Sequence, residues 1–331
     1  MRRVGRNVEL TPAGERLARH AGQALAADDA IRAELAGLSD APRGLLRMTF
    51  VQTPALALLL GVLERLAASA PDLQVEVVQR ETVPALEDLR SRAVDLVVGI
   101  EYDPVPVPRR RDIDRRDLLR EDVLLALHPE HPAVPRRGPV RIGACETAAW
   151  ASGHAGTGLD AVVRNVCNRL GGFEPDVRHR SDDGLVLGAL VASGRAVTLL
   201  PVLLYAAMPQ ITARRLREER LQRTIFTAAR AATSEAPAVL AVRAALRDAA
   251  ARDGRQAGAR DPRLSRVGAS GRTPRRRPAC ASRARRAARR LHRERAAVTH
   301  AGVPASSSAS DAERSRKASI CRRRSASFSS A

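Results

Sequence analysis

Between Leu17 and Leu38 the apolar residues recur at alternating spacings of four and three: Leu17, Ala21, Ala24, Ile31, Leu35 and Leu38, with Asp28 the one polar residue on the seam. A stripe that narrow predicts a helix that pairs with a partner helix. A surface helix packed on its own domain is the alternative. Thr11 and Pro12 supply a start signal, a hydroxyl for the free amides and a proline for the first turn. The run Asp40, Ala41, Pro42, Arg43, Gly44 ends the helix. Residues 1–10 are basic, hold β-branched side chains around a glycine, and fit a short hairpin or extended arm.

After Gly44 the period changes. Strands are expected at 45–51, 73–79 and 95–100, alternating with helices at 55–68 and 84–92. Residues 101–111, with their prolines and charges, read as an exposed connection. A second set follows, with strands at 123–127, 140–144, 177–180 and 196–200 and helices at 158–170 and 185–193. A late strand at 221–228 and a last helix at 236–251 complete it. The alternation predicts an α/β fold with parallel strands covered on both faces. Two Rossmann-like lobes result, one built from about 44–101 and 221–251, the other from about 123–215, with a cleft between them. From Arg252 onward the periodicity stops, and a tail of Arg, Ser and Ala cannot bury enough apolar area to become ordered. Residues 252–331 are expected to be disordered.

Charge changes the picture less than its total suggests. The 331 residues carry a formal net charge of +20, but the tail holds 22 Lys+Arg against 5 Asp+Glu, which leaves 34 against 31 in residues 1–251. Lys317 is the only lysine, and such arginine, alanine and proline usage points to a GC-rich genome, so basicity is weak testimony to nucleic-acid binding. The tail itself admits three readings: a nonspecific DNA arm, a solvated extension, or a stretch read out of frame.

Few residue patterns carry chemistry. Cys145, Cys167, Cys280 and Cys321 show no C-x-x-C spacing, so free thiols in a reducing cytoplasm are expected. The N-terminus has no apolar leader, and the longest apolar run, 54–63, is too short to span a bilayer. A soluble cytoplasmic protein follows as the expectation. His128, Glu130 and His131 sit in a proline-flanked turn without a third ligand nearby, and no metal is expected. Ser152, His154 and Asp160 have the letters of a triad but no G-x-S-x-G elbow. There is no P-loop and no G-x-G-x-x-G loop. Neither catalysis nor a cofactor is expected.

The residues around Leu10, Thr11, Pro12, Ala13 and Gly14 resemble the junction of wing and linker helix in LysR-type transcription regulators, where a basic wing ends in Leu-Thr-x-x-Gly. The resemblance continues through Gly44, Leu45, Leu46, Arg47 and Met48, at His131-Pro132, at Gly172, Phe173, Glu174 and Pro175, and from Val191 to Pro201. It covers roughly residues 3–250. It implies a remnant of a winged helix-turn-helix at 1–10, a dimerisation helix at 11–40 and an effector-binding domain at 44–251. The family's recognition helix precedes the wing, so Met1 is expected not to be the true start. Arg2, Arg3 and Arg6 are then the positions where a wing touches DNA phosphate, a contact that carries no direct sequence reading. A disordered basic N-terminus is the other reading of these arginines.

The resemblance also implies a small-molecule effector between the lobes and a homodimer or tetramer acting on promoter DNA, with no membrane partner. Ligands in open α/β sheets sit beyond the carboxyl ends of the strands, which points to Gln52 and Thr53, to Gly99 and Ile100, and to Thr157. Thr53 offers a hydroxyl beside free helix amides, suited to an anion or to plain capping. Trp150 walls the pocket or belongs to the core. Arg178, His179 and Arg180 suggest an anionic effector. A solute-binding protein with the same two lobes, and a nonfunctional remnant of a regulator, are the rival readings.

Overall fold

Thr11 and Pro12 begin the first long helix as their chemistry predicts. In the computed structural model, which describes residues 1–260 apart from 5–6, 39–40 and 206, the Thr11 hydroxyl accepts a hydrogen bond from the Gly14 amide at 3.2 Å. Strands β1 (Arg2–Val4) and β2 (Asn7–Glu9) form an antiparallel hairpin ahead of it, with Arg2 opposite Glu9. Helix α1 then runs over Pro12–Gly37. The tail expected to be disordered begins at residue 252, but residues 252–260 belong to a last helix, Pro237–Arg260; the rest of it lies outside the described residues.

The apolar stripe of α1 faces outward. Leu17, Ile31, Leu35 and Leu38 are 71, 57, 62 and 80% exposed, and Ala21 and Ala24 are exposed with them. A helix packed through its own stripe on its own domain is therefore not what forms. One acidic side chain on another face holds α1 instead. Asp29 is the buried residue of this helix, and it accepts Arg230 Nε at 3.1 Å and Arg92 Nη2 at 3.0 Å. Arg230 goes on to Asp95 and to the carbonyls of Leu89 and Val94.

The next elements alternate as the pattern predicts: β3 (Gly44–Phe50), α2 (Gln52–Ser69), β4 (Leu73–Gln79), α3 (Thr82–Arg90) and β5 (Leu96–Tyr102). Strand β3 pairs in parallel with both β4 and β5. Strand β5 is buried from Leu96 to Ile100, as a parallel strand covered on both faces must be.

Beyond β5 the structure departs from expectation. Strand β6 covers Ile113–Leu127, fifteen residues, where the pattern predicts only the last five. Its first part pairs antiparallel with a strand at Gln222–Arg230 that also pairs antiparallel with β5. Its second part pairs with strands at Thr198–Pro201 and Thr212–Arg214. The lobes are thus mixed rather than purely parallel, and β6 runs through both halves of one seven-stranded sheet.

In the second half, the expected strand at 140–144 is a 3₁₀ turn, Ile142–Cys145. Ile142 and Cys145 are its buried residues, three apart, which is the 3₁₀ spacing and not the alternation of a strand. The strand is instead β7 (Ala149–Ser152), followed by α4 (Gly158–Val166), β8 (Asp176–Arg180), α5 (Gly184–Ala192), β9 (Thr198–Pro201), α6 (Val202–Tyr205), β10 (Thr212–Arg214), β11 (Gln222–Arg230) and α7 (Pro237–Arg260). Helix α4 ends early, widening into a π turn at Cys167–Gly171 that Gly172 closes at φ 74°. Helix α7 returns to the first half, where Val242, Leu246 and Ala249 pack with Leu58, Val62 and Leu66 of α2 in one core.

Two adjacent acids on α1 should separate sharply under mutation. Asp29→Ala leaves Arg230 with Asp95 and two carbonyls but takes a charged acceptor from it and from Arg92, and should cost about 2 kcal/mol, with amide exchange rising across residues 12–37. Asp28 pairs with Arg32 in the open, so Asp28→Ala should cost less than about 1 kcal/mol. Equal losses in urea unfolding would refute the anchor.

Candidate ligand-binding cleft

The three parallel strands of the first half each deliver residues to one place at their carboxyl ends. Gln52 and Thr53 follow β3, Glu81 follows β4, and Ile100 and Tyr102 end β5. The second half contributes Gly153, Thr157 and Leu159 after β7, Asp182 and Gly184 after β8, and Leu199, Leu200, Pro201 and Leu204. Together with Arg223 these residues enclose a cavity of about 50 Å³. Its position is the one the strand-end rule predicts.

Of the expected ligand contacts, Gln52, Thr53, Ile100 and Thr157 line this cavity. Gln52 is already engaged across it. Its amide NH₂ donates to Asp183 Oδ1 at 2.6 Å, and its carbonyl accepts the Gly184 amide at 2.7 Å. Asp183 in turn caps α5 by accepting from the Leu185 and Val186 amides. The hydrogen bond from Gln52 and those of the cap hold the Asp183 carboxyl below its ordinary pKa. The Thr157 hydroxyl is engaged too, donating to the His154 carbonyl at 2.8 Å while it caps α4.

Two expected contacts lie elsewhere. A Cβ on Gly99 would meet the Phe226 ring at 2.8 Å and Thr82 Cγ2 at 3.1 Å, so this glycine faces the packing between β5, β11 and α3. Trp150 has no exposed surface. Its indole N–H donates to the Cys145 carbonyl at 3.2 Å and its ring leans on Phe173, which makes it a core residue, as sole tryptophans commonly are. The basis for an anionic effector also fails. Arg178 pairs with Asp176, and Arg180 donates to Asp160 and the Gly153 carbonyl, so neither guanidinium lines the cavity.

The sequence reading missed Glu81, Tyr102, Asp182 and Arg223. The first three sit just at or after strand ends and were open to the same rule that found Gln52. Arg223 gave no signal, being one arginine among many. It is 2% exposed and donates through Nε and Nη2 to Glu121 Oε1 at 2.9 and 2.7 Å. Burial disfavours its charge, but Glu121 and Tyr102 outweigh that and hold its pKa above the ordinary value. Burial, reinforced by Asp182 and opposed by Arg223, raises the pKa of Glu81.

The other clusters have structural employment. His128 Nδ1 and His131 Nδ1 accept backbone amides of their own turn, and His154 pairs with Asp182 at 3.0 Å. Among the described residues no group of three His, Cys, Asp or Glu could hold a metal ion, and no helix is long and apolar enough to cross a membrane.

The family model for the LysR substrate binding domain matches residues 39–251. The chain belongs to this LysR family. A probable hydrogen peroxide-inducible genes activator of Mycobacterium xenopi is 36% identical over 136 residues, 41% of this chain and 69% of that relative. The transcriptional dual regulator GltC of Bacillus subtilis (strain 168) is 27% identical over 199 residues, 60% of this chain and 64% of that relative. The chain thus spans about two thirds of the length of these LysR relatives, which are transcription regulators. Among solved structures, a cysteine-to-serine mutant of Corynebacterium glutamicum OxyR bound to H2O2 superposes with a TM-score of 0.55 at 23% identity, over 78% of this chain and 82% of that one. The effector binding domain of QuiR in complex with shikimate gives 0.53 at 16% identity, over 65% and 99%. Both share the LysR fold.

Removing the carboxylate partner of Arg223 should unfold the crossing between the two halves first. Glu121→Ala is expected to lose about 3 kcal/mol or more in urea denaturation, because a buried guanidinium is left unpaired. A loss below about 1 kcal/mol would show that water reaches Arg223.

Proposed function

We propose that this LysR-family chain is the dimerising and sensing part of a DNA-binding transcription regulator, controlled by a small molecule in the cleft. The observation that carries the reading is the cavity closed by contributions from both halves and bridged by Gln52. A ligand there must prefer one separation of the halves, which is the differential affinity a population shift requires. The stripe Leu17, Ala21, Ala24, Ile31, Leu35 and Leu38 supplies a surface for pairing subunits, in a homodimer or tetramer. The hairpin β1–β2 carries Arg2 and Arg3 toward DNA phosphate, and Arg6 lies outside the described residues. Acting on promoter DNA places the protein in the cytoplasm and leaves it no catalytic task. A solute-binding protein would have no use for the exposed stripe of α1.

Several LysR relatives are named for hydrogen peroxide, but thiol oxidation is not the mechanism these residues favour. Cys145 and Cys167 have no exposed surface, and burial pushes both thiols up to about 12. The thiolate is the reactive form, and at neutral pH neither thiol supplies it. In the native protein at pH 8 iodoacetamide should leave peptides holding Cys145 and Cys167 unmodified while labelling them in urea. Rapid native labelling would reopen peroxide sensing.

The test of DNA contact is salt. With three arginines on phosphate, the affinity of the 331-residue chain for its promoter duplex should fall about 40-fold between 50 and 200 mM salt, read by fluorescence anisotropy. Compounds that raise Tm through the cleft should alter that anisotropy, and Thr53→Trp should abolish the response. Stabilising compounds that leave anisotropy unchanged would count against effector control.

A further inference from the structure

The charges around the cleft do not balance. Arg223 is the cation on its lining, and Glu121 takes that charge up through two hydrogen bonds. Glu81 and Asp182 are the lining acids that remain. Asp182 accepts the His154 amide through one oxygen and lies 3.0 Å from His154 Nδ1 through the other. The Glu81 carbonyl accepts the Ala85 amide, but its half-buried carboxylate makes no side-chain hydrogen bond among the described residues; the charges of Asp182 and Arg223 act on it from a distance. An ionised carboxylate drawn out of water without a partner is unfavourable, and a cation beside it relieves the penalty.

A second feature points to a ligand independently. Thr53 is 7% exposed and lines the cavity; its hydroxyl makes no side-chain hydrogen bond among the described residues and remains within reach of solvent through the cleft. It stands in the first turn of α2, whose leading amides lack acceptors within the helix, and Val51 before it supplies no side-chain cap. The lining of one cavity therefore holds both a hydroxyl and a carboxylate without side-chain hydrogen bonds.

We propose that the cleft selects a small ligand bearing a protonated amine, received by Glu81 and Asp182, with an oxygen of the ligand set against the Thr53 hydroxyl. The proposal rests on the reading of the cleft as the effector site and names the chemistry it prefers. Size adds a constraint. The space inside is about 50 Å³, roughly a third of a cavity that holds benzene, so the part of a ligand received there is only a few atoms in size. The groups facing Glu81 are Asp182, Arg223 on β11 and Tyr102 on β5. Amine affinity should weaken as pH falls through the raised pKa of Glu81, since protonation removes its charge.

Calorimetry on the full chain tests this with 2-aminoethanol, glycinamide and glycine as amine probes, and glycolate and ethylene glycol as their amine-free counterparts. The expected result is that amines bind at least tenfold tighter than their counterparts. Glu81→Gln should weaken them at least tenfold, and Arg178→Ala, outside the cavity, should change nothing. If Glu81→Gln fails to fold by circular dichroism, Asp182→Asn carries the same expectation. Amines that do not bind, or that bind Glu81→Gln unchanged, overturn the proposal. Glycolate binding as tightly as glycine, and lost in Thr53→Trp, would overturn the amine while leaving the effector cleft standing. Probe binding that survives Thr53→Trp would remove both.

Discussion

Arg223 carries a full charge almost wholly out of water, and one carboxylate answers it. Glu121 receives two of its N–H groups through one oxygen and the Leu203 amide through the other. These partners come from β11, where the chain returns to the first half, and from α6 in the second. The neighbouring Asp122 gathers Arg215, Arg220 and Gln222. Two consecutive acids on β6 thus fasten the strand at the point where both halves meet. Because a stranded buried charge is far more costly than a missing contact, the pairing of β6 with β11 and the placement of α6 depend on this exchange. The cleft floor, which includes Arg223, depends on it in turn.

Around that floor the polar groups divide into two sorts. Gln52, Thr157 and Asp183 are saturated by protein partners that hold helix ends and close the gap. Glu81 and Thr53 are not. The saturated groups explain why the halves sit closed over a small volume. Residues that a strand-end rule would assign alike to ligand binding therefore do different work, and only their hydrogen bonds tell them apart.

The long first helix, the alternation after Gly44 and the cleft's place at the strand ends were all legible in the sequence, because each rests on local periodicity or capping. The first ten residues of β6 were not. Ile113–Asp122 reads as charged and irregular, yet Arg115 is nearly covered, with its guanidinium 3.7 Å from the centre of the Phe226 ring and in contact with Glu101 and Asp117. Cross-strand ion pairs let a polar segment sit where a hydrophobic one is expected, and such pairs join residues far apart in the chain. Gly99 was misassigned to the cleft for a related reason: it lies near a strand end, but a side chain there would point at Phe226 and Thr82, whereas Trp150 took the core, one of its two readings. Asp28 drew attention as the polar break in the stripe, while its neighbour Asp29 anchors the helix. A one-residue step around a helix of 3.6 residues per turn is enough to exchange their roles.

Strand β6 belongs to both halves at once. Two domains joined by loose connections can swing about them with little resistance, whereas a shared ribbon with hydrogen bonds on either side must bend or twist as it moves. Any opening of the gap at one end of this sheet is then felt as torsion along fifteen residues of continuous backbone. Signal and spring are the same element, and how stiffly it recoils would set how far an occupant can pry the two sides apart.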